Sequence, residues 1–283
     1  MRQRHVIAGV AAASIITAAA VCIFIPEVLT IQLVAVLAWF ILCGTALAAY
    51  LLLTNLNAAQ HWITARTASE LSAQLLSTTH QVQALIEIGK FVPVRRALPA
   101  MGGWAVAPDF AGVLVSIIQE RSPRLVVEAS SGVSTMLIAY CLEKTGGKVV
   151  SLDHLQQYSD TTNANLSRHN LTGTAQAIHA PLREYEIRGR KYMWYDLGGL
   201  ESLGQPIDVL VIDGPPKDTQ KNARYPALPL LMSRLAPDSV VLLDDAGRPD
   251  EQEIVREWLA EFPNFRLEML PHTKGTAVLR RTM

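Results

Sequence analysis

Acidic residues stand at the ends of four largely apolar runs in the C-terminal part of the sequence. These acids are Glu128, Asp153, Asp213 and Asp244, and each follows a run typical of a buried β-strand. Because parallel strands end at the same edge of a sheet, where such folds bind ligands, the four carboxylates should line one crevice. One acid in such a place is as often a helix cap or a solvated loop residue, but four together favour a site.

The turn after the first of these strands consists of small residues. Residues 129–134 read Ala-Ser-Ser-Gly-Val-Ser and separate the strand Leu125–Glu128 from a helix predicted over Thr135–Lys144. Small side chains allow a ligand to approach the backbone N–H groups at a helix N-terminus. Asp153 follows Gly132 by 21 residues, a spacing that places an acid to accept hydrogen bonds from both hydroxyls of a ribose.

The order of the apolar runs predicts an α/β domain with a Rossmann-like sheet. A helix is predicted over Phe110–Arg121 before the first strand. The further predicted strands are Val149–Leu152, Ala175–Ala180, Asp208–Ile212, Ser239–Leu243, Phe265–Leu270 and Thr276–Arg280. The five residues Pro271–Gly275 between the last two strands permit only an antiparallel hairpin. This ending disfavours an NAD-dependent enzyme, in which parallel strands and crossover helices continue.

Two apolar runs at the N-terminus predict a transmembrane helical hairpin over residues 1–53. The runs are Val6–Ile25 and Ile31–Leu53. Each has about 20 residues, which at about 1.5 Å per residue spans a hydrocarbon core of about 30 Å. The five residues between them form a turn, so the two helices should be antiparallel. The alternatives are a cleaved signal peptide for the first run, or a buried core hairpin.

The distribution of charge predicts the orientation of this hairpin. Between Arg4 and Arg66 the only formally charged residue is Glu27. The positive-inside rule therefore places both ends in the cytoplasm and Glu27 outside. The expected location is the cell inner membrane, crossed twice, with the lipid bilayer as a partner and the C-terminal domain in the cytoplasm.

A helical stalk is predicted over residues 54–92, which contain no glycine or proline before Gly89. Small and apolar residues recur in it at alternating spacings of three and four: Ala68, Leu71, Leu75, Thr78, Val82 and Leu85. This heptad-like seam predicts a coiled coil that could join copies of the chain into a homo-oligomer. The alternative is a helix that packs on its own C-terminal domain. That domain is predicted over residues 93–283, and the zero formal net charge disfavours nucleic acid as a partner.

Several short motifs together resemble the class I S-adenosylmethionine-dependent methyltransferases, particularly the group filed as methyltransferase domain 24. The motifs are Glu-Ala-Ser-Ser-Gly-Val-Ser-Thr, Ser-Leu-Asp-His, Val-Ile-Asp-Gly-Pro-Pro, Ala-Arg-Tyr-Pro-Ala-Leu-Pro and Leu-Leu-Asp-Asp, within residues 99–281. The resemblance implies a seven-stranded sheet with a terminal antiparallel hairpin and S-adenosylmethionine as cofactor. The expected activity is methyl transfer to an oxygen of a small-molecule, glycan or lipid-linked acceptor. The alternative is a non-catalytic membrane scaffold with a degenerate methyltransferase fold.

The resemblance also implies the cofactor-binding residues. Glu128 and the turn of Ser130, Ser131, Gly132 and Ser134 would hold the methionine moiety, and Asp153 would bind the ribose. His154 would flank the adenine together with Pro181 and Leu182. Asp213 is a further expected cofactor contact. Ser130 departs from the family, which usually has glycine there, and a Cβ at this position disfavours a positive φ angle.

Asp213, Asp244 and Asp245 resemble the divalent-cation site of catechol-type O-methyltransferases. Oxygen ligands suit Mg²⁺, which would lower the pKa of a bound hydroxyl. In the alternative interpretation, Asp213 contacts the cofactor and Asp245 caps the following loop. Asp213 and Lys217 are the expected catalytic residues, with Lys217 as general base or else as a solvated loop lysine.

Arg224 and Tyr225 follow the Gly-Pro-Pro loop at the predicted start of a helix. They are expected to grip an anionic or aromatic substrate. A structural role at the helix N-terminus is the equally supported alternative.

Overall fold

The structure is a computed structural model that describes residues 29–103 and 105–282. The chain divides into two compact units, Met1–Gln74 and Leu75–Met283. The first predicted transmembrane run, Val6–Ile25, lies outside the described residues, so the hairpin as a whole remains a prediction.

Helix α1, Leu29–Phe91, contains the second predicted run, Ile31–Leu53, and the predicted stalk without interruption. Within the described ranges it is the one helix whose length and composition would allow it to cross a membrane. The side chains of its apolar part are largely exposed to the surroundings. A bilayer would cover such a surface, although a signal sequence passes the same test of length and composition.

The last part of α1, from Leu75 onward, belongs to the C-terminal unit and packs on it. Ser77 and Gln81 lie within hydrogen-bond distance of Thr273, at 3.3 and 2.6 Å between side-chain atoms. Ile88 is buried in the core. The seam residues on this segment are instead exposed: Leu75, Val82 and Leu85. The segment thus contacts its own domain, as the second interpretation of the stalk expected, and leaves the seam uncovered.

A seven-stranded sheet forms the centre of the C-terminal unit and confirms the predicted fold. Its strands are β1 (Leu125–Ala129), β2 (Lys148–Asp153), β3 (Ala175–His179), β6 (Ile207–Ile212), β7 (Leu235–Leu243), β8 (Phe265–Leu270) and β9 (Thr276–Arg281). The spatial order is β3-β2-β1-β6-β7-β9-β8. The first five are parallel, and β9 is antiparallel to both β7 and β8. The central strands β1, β2 and β6 are largely buried on both faces, which explains their mostly apolar sequences, whereas the edge strand β3 exposes Gln176 and His179.

Helices cover the sheet and connect its strands. They are α2 (Pro108–Arg121), α3 (Val133–Leu142), α4 (Gln156–Arg168), α5 (Ala227–Leu231) and α6 (Pro249–Glu261). One face of the sheet packs against α2, α3, α4 and the end of α1, through residues such as Phe110 and Met136. The other face packs against α5 and α6, through residues such as Leu228 and Trp258. The sheet therefore lies between two apolar layers and holds its strand ends in a fixed arrangement.

A two-stranded hairpin between β3 and β6 was missing from the sequence-based expectations. It consists of β4 (Leu182–Ile187) and β5 (Arg190–Tyr195), paired antiparallel. Arg188 and Gly189 form its turn with φ angles of 53° and 72°, the left-handed values of the two-residue turns that suit a twisted hairpin. Trp194 and its neighbours on β5 are buried against the sheet, where a crossover helix would otherwise pack.

Candidate functional site

Two adjoining clefts open at the carboxyl edge of the sheet. The larger has a volume of about 410 Å³ and the smaller about 190 Å³, and they share Ser130, Ser131 and Asp213 among their lining residues. They lie where β1 stands between β2 and β6, the point at which the order of the strands reverses. Open α/β sheets bind their ligands at such a point. The larger cleft is called the cofactor cleft below.

The turn after β1 lines both clefts and has the backbone that a glycine would favour. Ser130 has a φ of 112°, in a region that side chains with a Cβ rarely adopt. Its N–H donates to the carbonyl of Leu152 at 2.9 Å, which ties the turn to β2. Gly132 and Ser134 line the smaller cleft at the start of α3, as the sequence predicted for the turn. The surrounding structure therefore holds Ser130 in this strained backbone conformation.

Asp153, at the end of β2, is held in a fixed position in the cofactor cleft. Ser131 Oγ donates to its Oδ2 at 2.8 Å, and the backbone N–H of Leu155 donates to its Oδ1 at 3.1 Å. The residue lines the cleft although it is nearly buried. A carboxylate oriented in this way can accept further hydrogen bonds from a ligand without first losing side-chain entropy.

Glu128 is buried below the turn and is not among the residues that line either cleft. Thr135 Oγ1 and Ser151 Oγ donate to its Oε2 at 2.5 and 2.6 Å. The Thr135 hydroxyl in turn accepts the N–H of Gly132 at 3.0 Å. Burial raises the pKa of Glu128. Its contacts support the shape of the turn, which differs from the direct contact with a methionine moiety that the resemblance implied.

The side of the cofactor cleft expected to hold adenine is formed by aromatic residues. His154 lines it together with Tyr158 and Tyr195, and the His154 and Tyr195 rings meet edge to face at 6.2 Å. Pro181 and Leu182 are not among the residues that line either cleft. Tyr195 reaches the cleft because it ends the unforeseen strand β5, and burial raises its pKa well above the usual value.

The three acids predicted to bind a metal meet at the carboxyl ends of β6 and β7. One oxygen of each of Asp213, Asp244 and Asp245 lies within 4.8 Å of the others. Burial raises the pKa values of Asp213 and Asp244, and the mutual repulsion of the acids adds to this effect. Asp213 and Asp245 line the cofactor cleft, whereas Asp244 is buried behind them.

Arg224 lies among these acids. Its Nη2 is 2.8 Å from Asp245 Oδ2 and 3.3 Å from Asp213 Oδ1, and its Nη1 donates to the carbonyl of Asp244 at 2.8 Å. Only 4% of its side chain is exposed. The guanidinium thus anchors the acid cluster, and Arg224 is also among the residues that line the cofactor cleft.

The charges around the acids are consistent with a divalent cation. Glu251 joins the three aspartates, its Oε1 3.8 Å from Arg224 Nε and 3.6 Å from Arg248 Nη1. Four carboxylates thus face two guanidinium groups, which leaves a formal charge of −2 that Lys274 at the rim offsets only in part. Asp244 Oδ2 and Asp245 Oδ1 are buried without a hydrogen-bond partner. Buried oxygens of this kind require a partner, and an Mg²⁺ ion fits their chemistry.

The remaining predicted residues differ in position. Lys217 lines the cofactor cleft from the short 3₁₀ turn Lys217–Thr219. Tyr225 lies in the core, where its hydroxyl donates to Glu261 Oε2 at 2.8 Å and its carbonyl accepts from Trp258 Nε1 at 2.9 Å. Tyr225 is therefore not brought into the cleft, and its contacts match the structural alternative.

Residues of the site that the sequence analysis missed include Tyr158, Tyr195, Arg248, Glu251 and Lys274. Arg248 precedes α6, and Glu251 lies in its first turn. Arg248 and Glu251 lie on either side of a proline that predicts the start of a helix. A helix that starts after the fifth parallel strand begins at the ligand edge of the sheet, so this pattern could have predicted both residues. Tyr195 and Lys274 depend on two hairpins, and no local pattern connects them to the acids.

Comparison with known proteins shows a similarity to methyltransferases. Residues 129–246 match the family model described as a methyltransferase domain. The SAH-bound methyltransferase PaMTH1 from Podospora anserina superposes with a TM-score of 0.54 at 14% identity, covering 75% of this chain and 96% of that one. An O-methyltransferase from Bacillus cereus in complex with SAH gives a TM-score of 0.47 at 18% identity, with 72% and 91% covered. Among curated protein sequences, none matches this one.

The matched residues 129–246 run from the turn after β1 to the end of the acid cluster, and so contain most of the predicted motifs. The superposition on PaMTH1 extends the likeness in fold to 75% of this chain. The predicted resemblance to class I methyltransferases is confirmed: residues 129–246 are similar to a methyltransferase domain, and the fold is similar to that of PaMTH1.

Proposed function

We propose that this chain is a membrane-anchored S-adenosylmethionine-dependent methyltransferase that methylates an oxygen of an acceptor at the cytoplasmic face of the inner membrane. The observation that carries the proposal is the cofactor cleft at the reversal of strand order, with Asp153 held in place beside the small-residue turn. The family match and the fold support the same conclusion.

The residues of the cleft fit the cofactor in shape and chemistry. Asp153 would bind the ribose hydroxyls, the N–H groups of the Ser131–Ser134 turn would face the methionine moiety, and His154 would flank the adenine. When bound, S-adenosylmethionine supplies an activated methyl group. The protein would contribute by orienting the two reactants and excluding water from the buried side of the cleft.

The acid cluster would bind and orient the acceptor oxygen. A divalent cation held by Asp213, Asp244 and Asp245 would supply a Lewis acid that favours the ionised form of the acceptor hydroxyl. Lys217, on the cleft wall, is the proposed general base, whose Nζ in its neutral amine form would receive the proton of that hydroxyl. Arg224 would keep the carboxylates in position throughout, because it binds two of them and is buried.

Divalent cations should stabilise the protein if this arrangement holds. Millimolar Mg²⁺ or Mn²⁺ is expected to raise the melting temperature of the full chain, because the ion binds only the native arrangement of the acids. Asp245→Asn, which keeps one oxygen ligand, should reduce that increase, and Asp245→Ala should abolish it. The quantity compared is the shift on adding metal, since both variants also lose contacts with Arg224. If Mg²⁺, Mn²⁺ and Ca²⁺ all fail to shift the wild-type melting temperature while S-adenosylhomocysteine raises it, the protein acts without a metal.

The anchor is proposed to be the two-pass hairpin of residues 1–53. The exposed apolar part of α1 supports its second span, and the positive-inside rule supports its orientation. The intact full chain should therefore stay in the membrane pellet after a carbonate wash. Release of the uncleaved chain into the supernatant would contradict the anchor.

We further propose that the exposed seam of α1 joins two copies of the chain. Leu75, Val82 and Leu85 are exposed on the segment that packs on the C-terminal domain through other residues. Burial of such an apolar helix face against an identical face is favourable in free energy. Light scattering of the full chain in detergent should give the mass of a dimer, and Val82→Lys with Leu85→Lys should give a monomer. Equal masses for wild type and variant would exclude the seam as the interface.

The decisive test of the methyltransferase itself is binding of S-adenosylhomocysteine to the full chain by calorimetry. Failure of the wild-type chain to bind it would favour the non-catalytic scaffold. If the chain does bind it, comparison of the lipids and metabolites of cells with and without the gene would identify the acceptor.

A further inference from the structure

A second cavity opens next to the cofactor cleft and continues from it. It has a volume of about 610 Å³ and lies between the turn after β7 and the β8–β9 hairpin. Asp245, Arg248 and Lys274 line both cavities, so they meet at the acid cluster. We call this second cavity the hairpin groove; beyond the shared residues it is lined mainly by Gly247, Gln252 and residues 269–273.

Two cations, Arg248 and Lys274, line the end of the hairpin groove beside the cofactor cleft, next to Asp245. Both ion pairs of Arg248 use its Nη1, at 2.8 Å from Asp245 and 3.6 Å from Glu251. Its other N–H groups take no part in these pairs. Lys274 Nζ donates to the carbonyl of Gly103 at 3.1 Å, and an ammonium group has two further N–H bonds. Both cations can thus bind an anion while keeping their present contacts.

The far end of the hairpin groove is apolar. Met269, Leu270 and Pro271 line it, and 46% of Met269 is exposed although it is a large apolar residue. An unbranched, flexible side chain of this type adapts to apolar ligands of varied shape. A soluble anion would not cover these apolar residues, and an uncharged lipid would not form ion pairs with the two cations.

The chain that carries the proposed anchor joins the domain beside this groove. Ser77 and Gln81 of α1 lie within hydrogen-bond distance of Thr273, which lines the groove. Upstream of these residues α1 leads to the apolar run that ends at Leu53. The groove therefore lies beside the segment of α1 that packs on the C-terminal unit.

We propose that the hairpin groove binds the acceptor, and that this acceptor is an amphiphile with an anionic headgroup of the phosphate type. Lys274 and Arg248 bind the anion, the apolar chain lies along Met269, Leu270 and Pro271, and the headgroup extends into the cofactor cleft. This inference rests on the proposed methyltransferase and specifies its substrate class. Charge complementarity at one end and apolar burial at the other are what such a ligand requires.

Decyl phosphate is a probe that has both properties. It is titrated by calorimetry into the full chain in a nonionic detergent, saturated with S-adenosylhomocysteine. Decanol, which lacks the charge, and inorganic phosphate, which lacks the chain, are titrated in parallel. Decyl phosphate is expected to bind about ten-fold more tightly than either, because each lacks one of the two contributions.

Variants locate the binding. Lys274→Gln should weaken decyl phosphate about ten-fold through loss of a charge-assisted hydrogen bond, whereas Lys191→Gln, an exposed lysine of the β4–β5 hairpin, should have no effect. Met269→Asp should weaken it by a similar factor. Leu267→Asp is the matched control, because Leu267 is 37% exposed on the same strand and is not among the groove residues.

The outcomes separate the groove from the methyltransferase. Equal binding of decanol and decyl phosphate, equal binding of inorganic phosphate, or equal losses in Met269→Asp and Leu267→Asp would each overturn the proposal. S-adenosylhomocysteine is titrated into the same preparations. If it binds and the groove pattern is absent, only the substrate class is wrong. If it does not bind but the groove pattern is present, the methyltransferase fails and the groove stands as a lipid site.

Discussion

Arg224→Ala is expected to destabilise the C-terminal domain by about 3–5 kcal/mol, the usual cost of removing one partner from a buried ion pair. The substitution would leave Asp213, Asp245 and Glu251 close together with only Arg248 beside them. Urea unfolding of the full chain, followed by tryptophan fluorescence, measures the loss. Arg224→Lys should recover only part of it, because one ammonium group cannot reproduce the forked contacts of a guanidinium.

Arg248 provides the control for this experiment. It pairs with the same Asp245 oxygen at the same distance of 2.8 Å, yet 37% of its side chain is exposed against 4% for Arg224. Solvent screens such a pair, so Arg248→Ala should cost no more than about 1 kcal/mol. Equal losses for the two alanine variants would show that the acid cluster does not depend on the buried guanidinium.

Asp153→Ala should weaken binding of S-adenosylhomocysteine to the full chain by about ten-fold or more. Hydrogen bonds to a charged group contribute about 1.5–3 kcal/mol each, and Asp153 is already oriented by Ser131 and Leu155. Calorimetry measures the affinity. Asp160→Ala is a suitable control, because Asp160 is an exposed acid on the neighbouring helix α4 and is not among the residues that line the clefts.

Ser130→Gly gives the opposite expectation in the same assay. Glycine adopts the φ of 112° at this position without strain, and it removes a side chain from the lining of both clefts. The affinity should stay the same or rise. A clear loss of affinity in Ser130→Gly, together with an unchanged Asp153→Ala, would mean that the ligand is held by the serine hydroxyl and that the ribose assignment is wrong.

The centre of the sheet could be predicted from the sequence because β1, β2 and β6 are largely buried on both faces. Such strands are continuous apolar runs, and the acids that end them mark the ligand edge. Phe265–Leu270 was predicted with its observed bounds, and the five-residue connection to β9 set the antiparallel ending. The turn after β1 was predicted from its small residues, which separate an apolar run from a helical one.

The β4–β5 hairpin and the role of Arg224 could not be predicted in the same way. Arg190–Tyr195 contains two basic residues, and its apolar residues face the core only because β4 pairs with it through an Arg-Gly turn. Arg224 gave no local signal because its partners Asp213 and Asp245 are 11 and 21 residues away in the chain. Propensity and periodicity report on neighbours in sequence, whereas these contacts depend on the folded sheet.

The position of β9 between β7 and β8 has a consequence for synthesis on the ribosome. β8 leaves the ribosome before β9, but among the strands that the structure describes it pairs with β9 alone. Until residues 276–281 have emerged, the nascent chain therefore exposes the unpaired strand Phe265–Leu270, with Leu267 and Met269 on one side. Unpaired apolar strands of this kind are sites of aggregation. A chain truncated after Leu270, which keeps β8 but lacks β9, should thus give less soluble protein than the full chain.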